Sequence, residues 1–150
     1  MNQSSSVSVV TVSHNRTSHL KISALAISKW NIHFEHIIVD WNSNPPILTS
    51  DLPIDPRIRL VRVENQGQWW LAKAYNQAAR CASGEWLLKV DADCILDQAF
   101  FDAFDPRKAS IQAFGNLSGS TNSNVNFNAW GLFSVKRDVF EQCGGFNEWL

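Results

Sequence analysis

The stretch Gly84-Glu85-Trp86-Leu87-Leu88-Lys89-Val90-Asp91-Ala92-Asp93-Cys94 decides the fold. Trp86, Leu87, Leu88 and Val90 are apolar, which suits a strand covered on both faces. Asp91 and Asp93 stand where that strand runs out. In an open α/β sheet, ligands bind just beyond the carboxyl ends of the strands. Residues two apart on an extended backbone point the same way, so both carboxylates can face one point. Oxygen ligands gathered on one point suit a hard divalent cation such as Mg²⁺ or Mn²⁺. The same spacing also fits a solvated turn, because Asp is a common turn residue.

Upstream of this stretch the pattern alternates between strand and helix. Residues 7–12 are β-branched and apolar, a buried strand. Ser13-His14-Asn15-Arg16 breaks it, and Thr17 or Ser18 can cap a helix with apolar positions at Leu20, Ala24, Leu25 and Ile27. Residues 34–40 form a second strand that ends in Asp40, and residues 41–56 read as a loop. Residues 57–63 suit a half-exposed strand, Asn65-Gln66-Gly67 a turn. A helix is expected over 69–82, with Leu71, Ala74, Tyr75, Ala78 and Ala79 inside and Gly84 just past its end. Downstream the pattern loosens: a short helix over 97–104, a strand over 109–114, a polar loop over 116–128, a strand over 130–135 and a helix over 136–143. This order predicts an α/β fold of three layers, with helices on both faces of a mainly parallel sheet.

The chain has 150 residues, 45% hydrophobic and 18% charged, with a formal net charge of −1. That size and composition fit one soluble domain with a real core. The charge gives no basic face of the kind nucleic acid requires. No apolar run is long enough to span a bilayer, and residues 1–6 lack a signal-peptide pattern, so the chain reads as cytoplasmic. Cys81, Cys94 and Cys143 are odd in number and lack a Cys-x-x-Cys pair, which indicates neither a disulfide framework nor a zinc site. Cys94 reads as a small buried residue, not a nucleophile.

Three strands end in polar groups: Ser13-His14-Asn15, Asp40, and Asp91-Ala92-Asp93. In a parallel sheet these ends line one edge, which favours the metal-site reading over the turn. The first strand is not followed by Gly-x-Gly-x-x-Gly, and no Gly-x-x-x-x-Gly-Lys-Ser/Thr occurs, so dinucleotide-fold and P-loop chemistry are excluded. What remains is phosphate held through a metal and side chains, with Arg16 and Lys73 as candidate cations.

Taken in order, VSVVTVSHNR, IIVDWNS, NQGQWWLAKAYNQAARCASGEWLLKVDADC and WGLFSVKRDVFEQCGGFNEWL resemble the motifs of the family 2 glycosyltransferases of the GT-A fold. The last is closest to the galactosyltransferase-like branch. The resemblance covers nearly all of residues 7–150 and implies roles. Ser13, His14 and Arg16 would lie against the base and phosphates of a nucleoside-diphosphate sugar, and Asp40 would bond the base, usually uracil. Gly67 and Lys73 belong to the segment that approaches the nucleotide. Asp91 would touch the ribose and reach the metal, and Asp93 would bind the metal directly. Gly144, Gly145, Phe146 and Asn147 would wall the acceptor side. Trp130 or Trp149 could stack on a sugar, the alternative being core packing. The implied reaction is metal-dependent, inverting transfer from a UDP-sugar to a hydroxyl acceptor, in the cytoplasm or at the inner face of the membrane.

The sequence also departs from that pattern. Asp40-Trp41-Asn42-Ser43 replaces the usual Asp-Gly-Ser turn. Asn147 stands where many members carry Asp, and an amide cannot act as a general base, so Glu148 becomes the candidate. The chain ends at Leu150, before the later elements of the family, and is expected to lack the C-terminal part of the domain. Two readings follow: a glycosyltransferase, or a nucleotide-sugar-binding module without turnover. Apolar surface left near Cys143 predicts a homodimer. A nucleotidyltransferase is disfavoured, since Ser13 to Arg16 supplies no glycine-rich basic loop.

Overall fold

The computed structural model describes residues 6–103, 109–116 and 128–149. Six strands form one sheet in the order β3-β2-β1-β4-β6-β5. β1 (Val7–Ser13), β2 (Phe34–Trp41), β3 (Ile58–Val63) and β4 (Trp86–Lys89) are parallel to one another. β6 (Asn128–Lys136) runs antiparallel to β4 and to the edge strand β5 (Ile111–Asn116). The expected mainly parallel α/β sheet is therefore present.

Pleating of β1 sorts its side chains into two cores. Val7 and Val9 pack with Ile27, Trp30, Phe100, Phe101 and Leu132 on one face, so α1 (Thr17–Ser28) and α3 (Gln98–Ala103) cover that side. Val10 and Val12 pack with Ala74, Tyr75, Ala78 and Phe140 on the other, under α2 (Leu71–Cys81) and α4 (Arg137–Gln142). Trp30 anchors the first core. It is 2% exposed, its ring meets Phe34, Phe100 and Phe101, and its Nε1–H donates to the Leu96 carbonyl at 3.0 Å. Truncating a side chain of that size would cost about 3–5 kcal/mol.

Gly84 is required by close approach. A Cβ there would lie 2.6 Å from Ser8 Oγ and 2.7 Å from Ser8 N, and its N–H donates to Ser8 Oγ at 2.7 Å. The glycine lets the chain leave α2 and enter β4 flush against β1.

The structure corrects several local expectations. α1 begins after Arg16, and no side chain caps it. Leu25 is 50% exposed, because Leu20, Ala24 and Ile27 share one helical face and Leu25 is turned off it. Leu71 is 49% exposed; it has the phase of the buried face but opens the helix, one turn ahead of Ala74. The central strand is shorter than its apolar run. Val90 still bonds the Val10 carbonyl at 3.0 Å, but the Cys94 N–H then closes onto the Asp91 carbonyl at 3.0 Å. Asp91 and Asp93 thus sit in a tight turn at the strand end and not on extended backbone. Most of the expected polar loop 116–128 lies outside the described residues.

Candidate nucleotide-sugar site at the carboxyl edge

Parallel pairing of β2, β1 and β4 places Asp40, the Ser13-His14-Asn15 segment and the Asp91–Asp93 turn along the same edge of the sheet. The chain passes from β1 outward to β2 and β3, then crosses back to β4, so the crevice between β1 and β4 is the topological switch point. The convergence expected from the sequence is therefore present.

Asp91 is held by two side chains. Its Oδ1 accepts from Lys89 Nζ at 2.6 Å and from the Tyr75 hydroxyl at 2.7 Å. Lys89 also donates to the Gly131 carbonyl at 2.8 Å and lies 4.7 Å from the centre of the Tyr75 ring. Burial, followed by the neighbouring Asp91 charge, pushes the Tyr75 hydroxyl well above its ordinary pKa, so it remains a donor. Gly131 has φ +88°, and a Cβ there would fall 2.8 Å from Asp91 Oδ2. The glycine keeps the approach to that second oxygen clear. Asp93 is half-exposed, and its Oδ2 lies 3.6 Å from Arg16 Nη1. Cys94 follows. Burial first, then Asp91 and Asp93, push its thiol up, which leaves it protonated and unsuited to nucleophilic work.

This donor set fits a hard divalent cation. Two carboxylates, one with an oxygen held clear and one near solvent, match the habit of Mg²⁺ and Mn²⁺ of taking one or two acids and completing the shell with phosphate and water. Among the described residues no group of three or more His, Cys, Asp or Glu side chains could hold a metal by itself.

Asp40 differs from its expected setting. Its carboxylate is fully buried. Oδ1 accepts from Ser43 N at 3.0 Å, and Oδ2 accepts from Ile47 N at 3.0 Å and Arg62 Nη1 at 2.5 Å. In this arrangement it organises the loop after β2, with three donors already on its two oxygens. Ser13 is also buried, and its hydroxyl has no partner.

The loops after β1, β2 and β3 are stitched together. Asn15, Asn42 and Asn65 adopt φ values of 55°, 54° and 59°, a left-handed conformation that Asn tolerates better than other side-chain-bearing residues. Asn15 N donates to Ser43 Oγ at 2.9 Å, and Asn15 Oδ1 accepts from Asn44 N at 2.7 Å. Asn42 Nδ2 donates to the Gln66 carbonyl at 2.9 Å, and Trp41 Nε1 donates to the Gln68 carbonyl at 3.0 Å. His14 Nδ1 lies 2.7 Å from the Trp41 carbonyl, and its ring stacks on Trp69 at 5.6 Å and 13°. Lys73 Nζ sits 3.8 Å above the Trp70 ring. Gly67 is exposed, and a Cβ there would meet nothing within 4 Å, so no steric need explains it.

α4, which leads into the Gly144–Glu148 segment, starts at the opposite edge, because β6 is antiparallel and its Lys136 end pairs with Trp86 at the start of β4. The segment then folds back over α2. Gly145 has φ +76°, and a Cβ there would strike Asn76 Oδ1 at 2.7 Å. Asn76 accepts from Phe146 N at 2.9 Å and donates to the Phe146 carbonyl at 2.9 Å and to Glu148 Oε1 at 2.8 Å. Phe146 packs on Tyr75, Phe133 and Phe140. Asn147 Oδ1 caps the Trp149 N–H at 2.9 Å. A cleft of about 460 Å³ lies between this segment, α2 and α4, with Trp149 93% exposed at its rim. The segment thus braces the residue that holds Asp91. The side chain of Trp130 lies outside the described residues.

Sequence reasoning missed Lys89, Tyr75, Gly131 and Asn76. Only Lys89 carried a signal, since it lies two residues before Asp91 in a run that reads as extended from sequence.

A six-stranded sheet of this order, with an acidic turn after its central strand, defines the GT-A fold. A family model described as glycosyl transferase family 2 matches residues 8–104, and the chain belongs to that family. Among solved structures it is similar to TarS 1-349 of S. aureus, at 18% identity and a TM-score of 0.67, covering 96% of this chain and 51% of that one. It is also similar to the mannosyltransferase PcManGT from Pyrobaculum calidifontis in complex with GDP-Man and Mn²⁺, at 20% identity and a TM-score of 0.65, with 96% and 48% covered. TarS 1-349 in complex with UDP-GlcNAc aligns at 16% identity and a TM-score of 0.63, with 92% and 47% covered. At such identities the likeness is one of fold. The chain spans about half the length of these structures. A comparison with curated proteins found no match. No helix among the described residues is long and apolar enough to cross a membrane.

Proposed function

We propose that this chain binds a nucleoside-diphosphate sugar at the carboxyl edge of its sheet and serves as the donor half of a metal-dependent, inverting glycosyltransferase. The observation that carries this reading is the clamped Asp91. A carboxylate fixed by Lys89 and Tyr75, with its second oxygen kept clear by Gly131, is built to meet a ligand. Asp91 and Asp93 would hold Mn²⁺ or Mg²⁺. When bound, such an ion supplies Lewis-acid stabilisation to a departing diphosphate. Arg16 adds a cation beside the same phosphates. Lys73, in the first turn of α2, would take the remaining phosphate charge by leaving the Trp70 ring. A saccharide or other hydroxyl would be the acceptor, its proton taken by a carboxylate on the far face of the sugar.

The test is calorimetric titration of the chain with UDP, with and without Mn²⁺. Metal-dependent binding that is lost in Asp93→Asn supports the reading. Binding that ignores both the metal and that substitution overturns it.

A second reading, a nucleotide-sugar-binding module without turnover, is favoured by Glu148. Its Oε1 is engaged by Asn76 and lies 4.0 Å from Arg80. Donor binding with no sugar transfer or donor hydrolysis selects this reading; turnover rejects it.

A further inference from the structure

We propose that Lys89 is a built-in counter-ion of the Asp91–Asp93 turn, which keeps a divalent cation weakly held there until a diphosphate joins it. The inference rests on the donor-binding reading above and adds to it a residue that sets what the turn will hold.

Each carboxylate of the turn has a cation of its own. Lys89 Nζ lies 2.6 Å from Asp91 Oδ1, and Arg16 Nη1 lies 3.6 Å from Asp93 Oδ2. The two cations differ in how firmly they are held. The Lys89 ammonium has three donors and no acceptor. It donates to Asp91 and to the Gly131 carbonyl at 2.8 Å, and it lies 4.7 Å from the centre of the Tyr75 ring. Its side chain is 11% exposed, so parting from Asp91 would strand a charge with little water around it. Arg16 is mostly in solvent and beyond hydrogen-bond distance of its partner, and surface pairs of that kind contribute little. Lys89 therefore stays in place while Arg16 is free to swing.

The charge balance of the turn follows. Asp91 and Asp93 offer two negative charges, and Lys89 permanently offsets one of them. The carboxylates alone thus attract a divalent cation only weakly, with a fixed positive charge beside Asp91 Oδ1 opposing it. A diphosphate reverses the balance. Its oxygens bring the missing negative charge and fill the positions that Mg²⁺ and Mn²⁺ reserve for phosphate. Lys89 and Arg16 then face an anion that they attract. The same ammonium opposes the metal alone and favours the metal with its diphosphate.

Tyr75 provides the comparison within the site. Its hydroxyl donates to the same Oδ1 at 2.7 Å but carries no charge. That bond only orients the carboxylate, whereas Lys89 orients it and also repels an incoming cation. Deleting the Tyr75 donor should weaken metal binding, and deleting the Lys89 charge should strengthen it. A merely structural Lys89 would move the affinity in the same direction as Tyr75.

The experiment is titration of Mn²⁺ into the full chain without nucleotide, read from the paramagnetic resonance signal of free Mn²⁺. Lys89→Met should bind Mn²⁺ about tenfold more tightly than the unaltered chain, because a unit charge a few ångströms away has gone. Lys89→Arg keeps the charge and should bind as weakly as the unaltered chain; Tyr75→Phe should bind more weakly still. Urea midpoints establish that each variant is folded. Lys89→Gln, neutral but still a donor, replaces Lys89→Met if that variant does not fold, with the same expectation. Mn²⁺ affinity unchanged or lowered in the folded neutral variant overturns the counter-ion role while donor binding stands. Failure of the unaltered chain to bind UDP in the presence of Mn²⁺ overturns the donor-binding reading and this inference together.

Discussion

The Tyr75 hydroxyl donates to Asp91 Oδ1 at 2.7 Å, and this bond ties the middle of α2 to the turn that follows β4. Removing it in Tyr75→Phe keeps the ring in its packing and deletes only the donor. Partners of this kind orient a metal-facing carboxylate, and their loss lowers metal affinity by about 10- to 100-fold. The expected result is Mn²⁺-dependent UDP binding weakened about tenfold. Gly131→Ala should act more strongly, because its Cβ would lie 2.8 Å from Asp91 Oδ2 at a φ that L residues avoid. Titration of Mn²⁺ at fixed UDP checks both, and unchanged metal dependence in the two variants would sink the proposed role of Asp91.

Arg62 neutralises a carboxylate that has no access to water. Asp40 is fully buried, and Arg62 Nη1 lies 2.5 Å from its Oδ2. Truncation in Arg62→Met strands that charge and is expected to cost about 3 kcal/mol of stability. Adding Asp40→Asn should recover part of the loss, since an amide can remain neutral there. Urea midpoints of the single and double variants decide the matter. A double variant no more stable than Arg62→Met would show that the cost lies elsewhere.

His36 makes the fold acid-sensitive. It is fully buried between the sheet and its covering helix layer, Nε2 meets Thr11 Oγ1 at 3.0 Å, and Nδ1 has no partner. Burial lowers its pKa from 6.5 to about 3, with Asp55 opposing weakly. Below 6.5 the unfolded chain takes up a proton that the folded chain refuses. Stability is therefore complete above that pH and falls as pH drops toward 3, at up to about 1.4 kcal/mol per unit. Asp51 and Asp55, whose pKa values are also lowered, add their losses only at more acid pH. Denaturation midpoints compared between about pH 7 and pH 5.5 should decline in the native chain and hold nearly level in His36→Gln. Equal slopes in the two proteins would contradict the assignment.

Much of the sheet was legible because its signals are local. The β-branched run of β1, the apolar run of β4 and the glycine before it each fix an element from a few neighbouring residues. The alignment of Asp40, His14 and Asp91 at one edge then follows from parallel topology alone. What was not legible depends on distant partners. Asp40 reads as a base ligand, and its bonds to Arg62 and the loop amides come from residues that no local pattern links to it. Glu148 reads as a free carboxylate until Asn76, 72 residues earlier in the chain, is found bonded to it. The strand bearing the acidic pair looked longer than it is, because Val90 satisfies the apolar pattern while Ala92 and Asp93 already turn.

The aromatic contact between Phe146 and Tyr75, at 6.0 Å between ring centres, joins the Gly144–Glu148 segment to the side chain that holds Asp91. Phe146 is pinned by Asn76, and Tyr75 carries the bond to Asp91. A ligand that tightens Asp91 is expected to tighten the segment from Gly144 to Glu148 through this contact, and by reciprocity whatever steadies that segment should raise affinity at the donor edge. Hydrogen exchange at the amides of Gly145 and Phe146 would therefore report on a nucleotide that never touches them.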